Sequence, residues 1–101
     1  MEKKAKPPVK AKKQPGKVPA EYVFWCHDGS VFADLEELAE GLAVMSDETY
    51  VYHCNLEKQD FSNWVRHIIK DEELAMELAI ARSRVQAAEY VASRIALMAS
   101  R

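Results

Sequence analysis

The pattern of apolar and polar residues beyond about residue 20 predicts a short β-hairpin followed by four or five helices. Residues 22–26 are aromatic and β-branched, residues 27–30 have the composition of a turn, and Val31 and Phe32 can pair back with the first strand. Apolar residues then recur at the three- and four-residue spacing of amphipathic helices, separated by short polar segments. Strands do not alternate with helices, so the order predicts an α+β fold that is mostly helical.

The helices are predicted to begin at capping residues. Asp34 is followed three residues later by Glu37, and Ser83 by Gln86, which is the spacing of a capping box. The other predicted helix starts are Ser46 with Asp47, Asp60 and Asp71.

Each helix is predicted to bury one apolar face. Gly41 weakens the first helix by about 1 kcal/mol relative to alanine, so that helix is expected to depend on packing. The residues predicted to face the core are Leu35, Leu38, Ala39, Leu42 and Met45 in the first helix, Tyr50, Val51 and Cys54 in the second, Phe61, Trp64, Val65, Ile68 and Ile69 in the third, Leu74, Ala75, Leu78 and Ala79 in the fourth, and Val85, Ala88, Ala92, Ile95 and Met98 in the last.

Charge divides the 101 residues into two parts. Residues 1–20 carry seven lysines, one acid and four prolines without an aromatic residue, which predicts a disordered, locally extended arm of charge +6. Residues 21–101 carry seven basic and fifteen acidic residues, so a single small domain of charge −8 is predicted there. The arm lysines are Lys3, Lys4, Lys6, Lys10, Lys12, Lys13 and Lys17.

The lysine arm predicts contact with DNA or RNA. Lysines bind phosphates without reading sequence, and each contact is sensitive to salt. The arm contains no arginine or aromatic residue for base readout or stacking. A solubilising tail or linker is the alternative interpretation.

No run approaches the roughly 18 apolar residues that would cross a bilayer, so no membrane contact and a cytoplasmic location are expected. Cys26 and Cys54 are then expected as reduced thiols, although their spacing alone leaves a disulfide open.

The segment from residue 53 to residue 64 holds the most distinctive combination of side chains. His53 is expected to be a partly buried imidazole that bonds a carboxylate or carbonyl and holds the second helix against the third. Asp60 is interpreted mainly as a helix cap, and Phe61 and Trp64 mainly as core. The same four residues could instead contribute to a partner-binding surface.

Two chemical alternatives use the Cys26–His27 and His53–Cys54 pairs. They contain the inventory of a Cys2His2 zinc site, but adjacent side chains diverge and rarely bind one ion together. A cysteine nucleophile with His53 as base and Asp60 as orienting acid has the right residue types but lacks a visible oxyanion loop. We therefore predict no catalytic residue, metal or cofactor.

One series of residues between 22 and 80 follows an ordered pattern: an aromatic strand, an Asp-Gly turn, a Leu-rich helix, and a His followed by Asp-Phe-x-x-Trp. Its members are Phe24, Asp28, Gly29, Leu35, Glu37, Leu38, Leu42, Met45, Asp47, His53, Asn55, Asp60, Phe61, Trp64, Asp71, Leu74 and Ala75. The series resembles a small archaeal and bacterial domain family of unknown function. Tyr50 stands where that family has phenylalanine, and Cys26, His27 and His67 lie outside the pattern. The resemblance implies a common fold and an important central segment, but no reaction.

These observations predict a non-enzymatic binding protein whose acidic helical domain engages another protein or a second copy of itself. Fewer than all of Trp25, Phe32, Phe61 and Trp64 are expected to fit inside so small a core, and a remaining patch would mark such a partner site. The alternative is a scaffold domain that binds only protein and uses the arm as a linker.

Overall fold

A computed structural model of the protein describes residues 16–100. Within them a two-stranded hairpin and five α-helices confirm the α+β, mostly helical fold. In chain order the elements are a 3-10 turn at Ala20–Tyr22, strands β1 (Phe24–Trp25) and β2 (Val31–Phe32), and helices α1 (Leu35–Val44), α2 (Asp47–His53), α3 (Asp60–Trp64), α4 (Glu72–Ile80) and α5 (Arg84–Ala99). A π-helical turn, Val65–Ile69, continues α3.

The antiparallel hairpin separates its aromatic residues between two faces. Phe24 pairs with Phe32, and both side chains are buried, whereas Trp25 pairs with Val31 on the outer face. Gly29 supplies the positive φ of 96° that the connecting turn requires. Trp25 is 73% exposed while Phe32 and the two aromatic residues of α3 are buried, which confirms that the core cannot hold all four predicted aromatics.

Side-chain caps fix the starts of four helices. Asp34, Ser46, Asp71 and Ser83 each accept a hydrogen bond from the backbone N–H three residues later. The predicted cap at Asp60 is wrong, because Asp60 is the first residue of α3 and its carboxylate bonds to His53 instead.

The core lies between the hairpin, α1 and the three following helices. Leu38, Leu42, Val65 and Leu74 are fully enclosed, and α5 packs across α1 and α4. Arg84 at the start of α5 donates to the carbonyls of Leu42 and Ala43, which satisfies two acceptors at the C-terminal end of α1.

The predicted buried faces of α2, α4 and α5 are partly wrong. Ala87 and Val91 lie at the centre of the buried stripe of α5 because that helix contacts both α1 and α4, whereas Ala88, Ile95 and Met98 are half-buried. The predicted core residues that are exposed instead are Val51, Ala79, Val85 and Ala92.

The folded contacts begin before Glu21, where the sequence places the start of the domain. The Val18 N–H donates to the Ala33 carbonyl at 2.8 Å, and the Val18 side chain packs against the core. The Tyr22 carbonyl accepts a 2.8 Å hydrogen bond from the Trp64 indole. Lys17 and Val18 therefore belong with the domain.

Candidate functional site

His53 lies at the junction of the hairpin, α2 and α3. It is the last residue of α2, and it is 5% exposed. The centroid of its ring lies 5.1 Å from that of Phe24 and 5.2 Å from that of Phe61. Its Nε2 accepts the His27 backbone N–H at 2.9 Å, and its Nδ1 lies 2.9 Å from Asp60 Oδ2. Because Nε2 accepts a hydrogen bond, the neutral tautomer has its proton on Nδ1 and donates it to Asp60.

Both nitrogens of His53 are therefore committed to structural hydrogen bonds. A general base needs a nitrogen lone pair within reach of the proton that it removes, but here the Nε2 lone pair is directed at a backbone N–H. Asp60 is also paired with the Lys58 ammonium at 3.4 Å. The arrangement joins α2 to α3, as predicted for His53, and also joins both to the turn of the hairpin.

The two cysteines are free thiols with separate surroundings. Cys26 is buried, and desolvation raises the pKa of its thiol, which favours the unreactive protonated form. Cys54 Sγ lies 3.4 Å from the Tyr50 hydroxyl and 3.3 Å from Gln59 Oε1. Since the amide oxygen only accepts, the thiol donates to Gln59 and the phenol is free to donate to sulfur.

Tyr50 is enclosed in the same region. Burial, followed by its contact with Cys54, raises the pKa of its hydroxyl, so this group stays protonated. Cys54 is thus beside His53 in sequence but bonded to other residues, Tyr50 and Gln59.

The four candidate metal ligands do not converge. His53 uses both ring nitrogens, and the His27 ring stacks on Tyr52 with 3.9 Å between centroids. Among residues 16–100 no group of three or more His, Cys, Asp and Glu side chains could hold a metal ion. The geometry gives no support to the zinc or the cysteine-nucleophile alternative.

Sequence reasoning missed Tyr52, which forms an exposed cluster with two neighbours. Its ring stacks on His27, and the Lys58 ammonium lies 4.2 Å from its centroid, within the range of a cation–π contact. Tyr52 is 47% exposed because Tyr50 and His53 occupy the inward face of α2. The helical period of α2, which places Tyr52 off that face, is the signal that could have found it.

Lys17 is the one predicted nucleic-acid-binding residue that the structure describes. Its ammonium lies 2.7 Å from Glu37 Oε2 and 3.2 Å from Asp34 Oδ2. The hydrogen bond to Glu37 raises the pKa of Lys17, and the same bond, with one from the Ala33 N–H, lowers the pKa of Glu37. The negative charge of the two carboxylates opposes the approach of a phosphate to Lys17.

The other six predicted arm ligands lie outside the described residues. They are Lys3, Lys4, Lys6, Lys10, Lys12 and Lys13.

Three arginines of the domain are paired with its own acids. Arg66 bonds Glu72 at 3.0 Å, and Arg84 bonds Asp47 at 2.9 Å. Arg94 reaches the buried Asp71 at 2.7 Å, and this hydrogen bond raises the pKa of Arg94. With these arginines paired, the excess acidic residues make the surface of the domain negatively charged.

Comparison with protein-family models, with curated proteins and with solved structures finds no match for this chain. The resemblance of residues 22–80 to a family of unknown function stays a prediction. Among residues 16–100, none of the helices combines the length and the apolar character needed to cross a membrane.

Proposed function

We propose that this is a non-enzymatic, cytoplasmic binding protein whose lysine-rich arm contacts DNA or RNA without sequence preference. The observation that carries the proposal is the segregation of charge: +6 in residues 1–20 against −8 in the remainder. A polyanion is attracted by the first part and repelled by the second, so binding should depend on the arm.

The internal pairing of the domain supports this division of roles. Arg66, Arg84 and Arg94 already bond to carboxylates, and the negative charge of these acids repels a phosphate that approaches them. The arrangement of His53 supports a non-enzymatic role, because both of its nitrogens hold the fold together.

A salt titration tests the proposal. Fluorescence anisotropy with labelled duplex DNA and single-stranded RNA would compare the full chain with a deletion of residues 1–15. That deletion keeps Lys17 and Val18, which contact the domain. We expect the full chain to bind with a log–log salt slope of about −0.9 per phosphate contact on DNA, and the deletion to lose binding.

A charge-matched pair of variants provides the control. Replacing Lys10, Lys12 and Lys13 by glutamine should reduce that slope by about 2 to 3. The control replaces three basic residues of the domain by glutamine: Lys58, Lys70 and Arg82. Equal weakening by both triple variants, or undiminished binding by the deletion, would contradict arm-dependent binding.

A protein partner is the second candidate function, and the outer face of the hairpin favours it. Trp25 and Val31 pair across the strands with their side chains in solvent. Exposed tryptophan is uncommon in monomers and enriched at interfaces. This candidate includes self-association as a homodimer.

Light scattering after size-exclusion chromatography tests self-association. A dimer that dissociates in Trp25→Ser but persists in Val85→Ser, a substitution at another exposed apolar residue, would support an interface on the hairpin. A monomer at all concentrations would exclude the homodimer.

A further inference from the structure

An open groove runs between β2 and α1. Its apolar lining consists of Val31, Phe32, Gly41 and Val44, and its charged lining consists of Glu37 and Glu40. The groove encloses about 440 Å³, and Val44 is 82% exposed. It combines apolar surface with two carboxylates, which suits a segment that carries both lysines and small apolar residues.

The chain enters the domain beside this groove. Lys17 bonds Glu37, one of the two acids of the lining, and the Val18 N–H bonds the carbonyl of Ala33, directly after β2. Lys17 and Val18 therefore already contact α1 and the residue that follows β2. Glu40 lies one turn of α1 beyond Glu37, and within residues 16–100 its carboxylate has no ion-pair partner.

The segment before Gly16 has the length and chemistry to occupy the groove. Residues 1–15 contain six lysines together with alanine, valine and proline. Fifteen residues reach at most about 50 Å when extended, and the segment joins the domain next to Lys17, which bonds Glu37 of the groove. The domain has more acidic than basic residues, so it attracts this lysine-rich segment.

We propose that residues 1–15 dock in the groove between β2 and α1, with a lysine ammonium group on Glu40 and apolar side chains on Val31 and Val44. Docking itself does not depend on nucleic-acid binding. One consequence of docking rests on the proposed function: the groove competes with nucleic acid for the arm, so docking reduces the apparent affinity for nucleic acid. Exposed ion pairs are individually weak and screened by salt, which allows such an exchange.

Nuclear magnetic resonance of the full chain tests docking without nucleic acid. The probes are the amide signals of Val31, Gly41 and Val44 and the methyl signals of the two valines. They should differ between the native chain and the Lys10, Lys12, Lys13→Gln variant, and the difference should vanish near 1 M salt, where the Debye length is about 3 Å. The Lys58, Lys70, Arg82→Gln variant should leave these signals in place. Coincident groove signals in the native chain and the arm variant would overturn docking.

Binding of labelled duplex DNA tests the competition. Glu40→Gln should tighten binding by the full chain about two- to fivefold, the range expected for the loss of one exposed ion pair. The matched control is Glu77→Gln, which removes the same charge from α4. An equal gain in both variants would overturn the competition and show only a general effect of charge.

The two assays separate the two hypotheses. If no form of the chain binds DNA or RNA at low salt, the proposed function and the competition both fail, whereas the groove signals still decide docking. If DNA binds but the groove signals do not respond to the arm, docking fails and the proposed function remains.

Discussion

Gly41→Ala should destabilise the protein, although alanine is the better helix former. Gly41 lies inside α1, and the ring of Phe32 points at its α-carbon. A β-carbon at this position would fall inside the contact distance of Cζ and Cε1 of that ring, and even Cε2 would be 3.1 Å away. Ordinary carbon–carbon contacts are about 3.5 to 4.0 Å.

Two opposing terms determine the magnitude. Alanine gains about 1 kcal/mol of helix propensity over glycine. Forcing a methyl group into a filled site costs about 1 to 3 kcal/mol, and expelling an aromatic ring costs about 3 to 5 kcal/mol. Phe32 is buried and stacked at 5.9 Å on Phe24, so its ring has little room to retreat. Subtracting the propensity gain leaves about 0 to 2 kcal/mol if the ring shifts and about 2 to 4 kcal/mol if it is expelled, so we expect a net loss of about 2 kcal/mol.

Urea unfolding followed by circular dichroism would measure this loss, and thermal unfolding should show a midpoint lower by about 4 to 8 °C for each kcal/mol. Ala43→Gly, at an exposed position of the same helix, calibrates the propensity term. In a Phe32→Leu background the same Gly41→Ala change should be much less harmful, which a double-mutant cycle would detect. If Gly41→Ala in the otherwise native sequence raised the free energy of unfolding by about 1 kcal/mol, the steric argument would be refuted.

Three further substitutions test the joint and the ion pair. His53→Ala should lower the free energy of unfolding in urea by about 2 to 4 kcal/mol, because it leaves a cavity and an unpaired backbone N–H. His67→Ala, at an exposed position, should change it by less than about 0.5 kcal/mol. Similar effects of the two substitutions would contradict the role of His53 as the joint between these elements. Trp64→Phe should lose about 1 to 3 kcal/mol with its indole hydrogen bond, and Trp25→Phe should lose little; equal losses would contradict that role. The pKa of Glu37 is lower in the folded than in the unfolded chain, so its contribution is present above the ordinary glutamate range of about 4.3 and is lost as pH falls through the folded value. Glu37→Gln should therefore flatten the acid limb of a stability–pH curve, and an unchanged limb would contradict this.

Local signals predicted most of the helix starts, even where the capping aspartate has a second partner, as Asp34 has in Lys17 and Asp71 in Arg94. Asp34, Asp71 and Ser83 bond an N–H three residues later, a contact that depends only on neighbouring sequence. Asp60 follows the same local rule, but His53 seven residues earlier provides a buried donor for its carboxylate. Asp60 is the first residue of α3 and not its cap, and its carboxylate holds the His53 ring.

The long-range part of the site could not be read from spacing. His53 was expected to bond a carboxylate or carbonyl, but its second partner is a backbone N–H 26 residues earlier. Arg84 finds its carbonyl acceptors about 40 residues earlier, where α5 crosses the end of α1. Periodicity indicates which face of a helix is apolar but not which helix it meets, which is why the predicted stripe of α5 was displaced.

The first helix connects the core with the proposed docking groove. Leu38 and Leu42 bury one side of α1, while Glu37 and Glu40 line the groove on another. Gly41 belongs to both, since its missing side chain leaves room for the Phe32 ring that also lines the groove. Substitution at Gly41 would thus change stability and groove shape together, so it cannot test docking. Glu40→Gln keeps the exposed helical position and removes only charge, and for that reason it is the substitution on which the competition between the groove and nucleic acid should be judged.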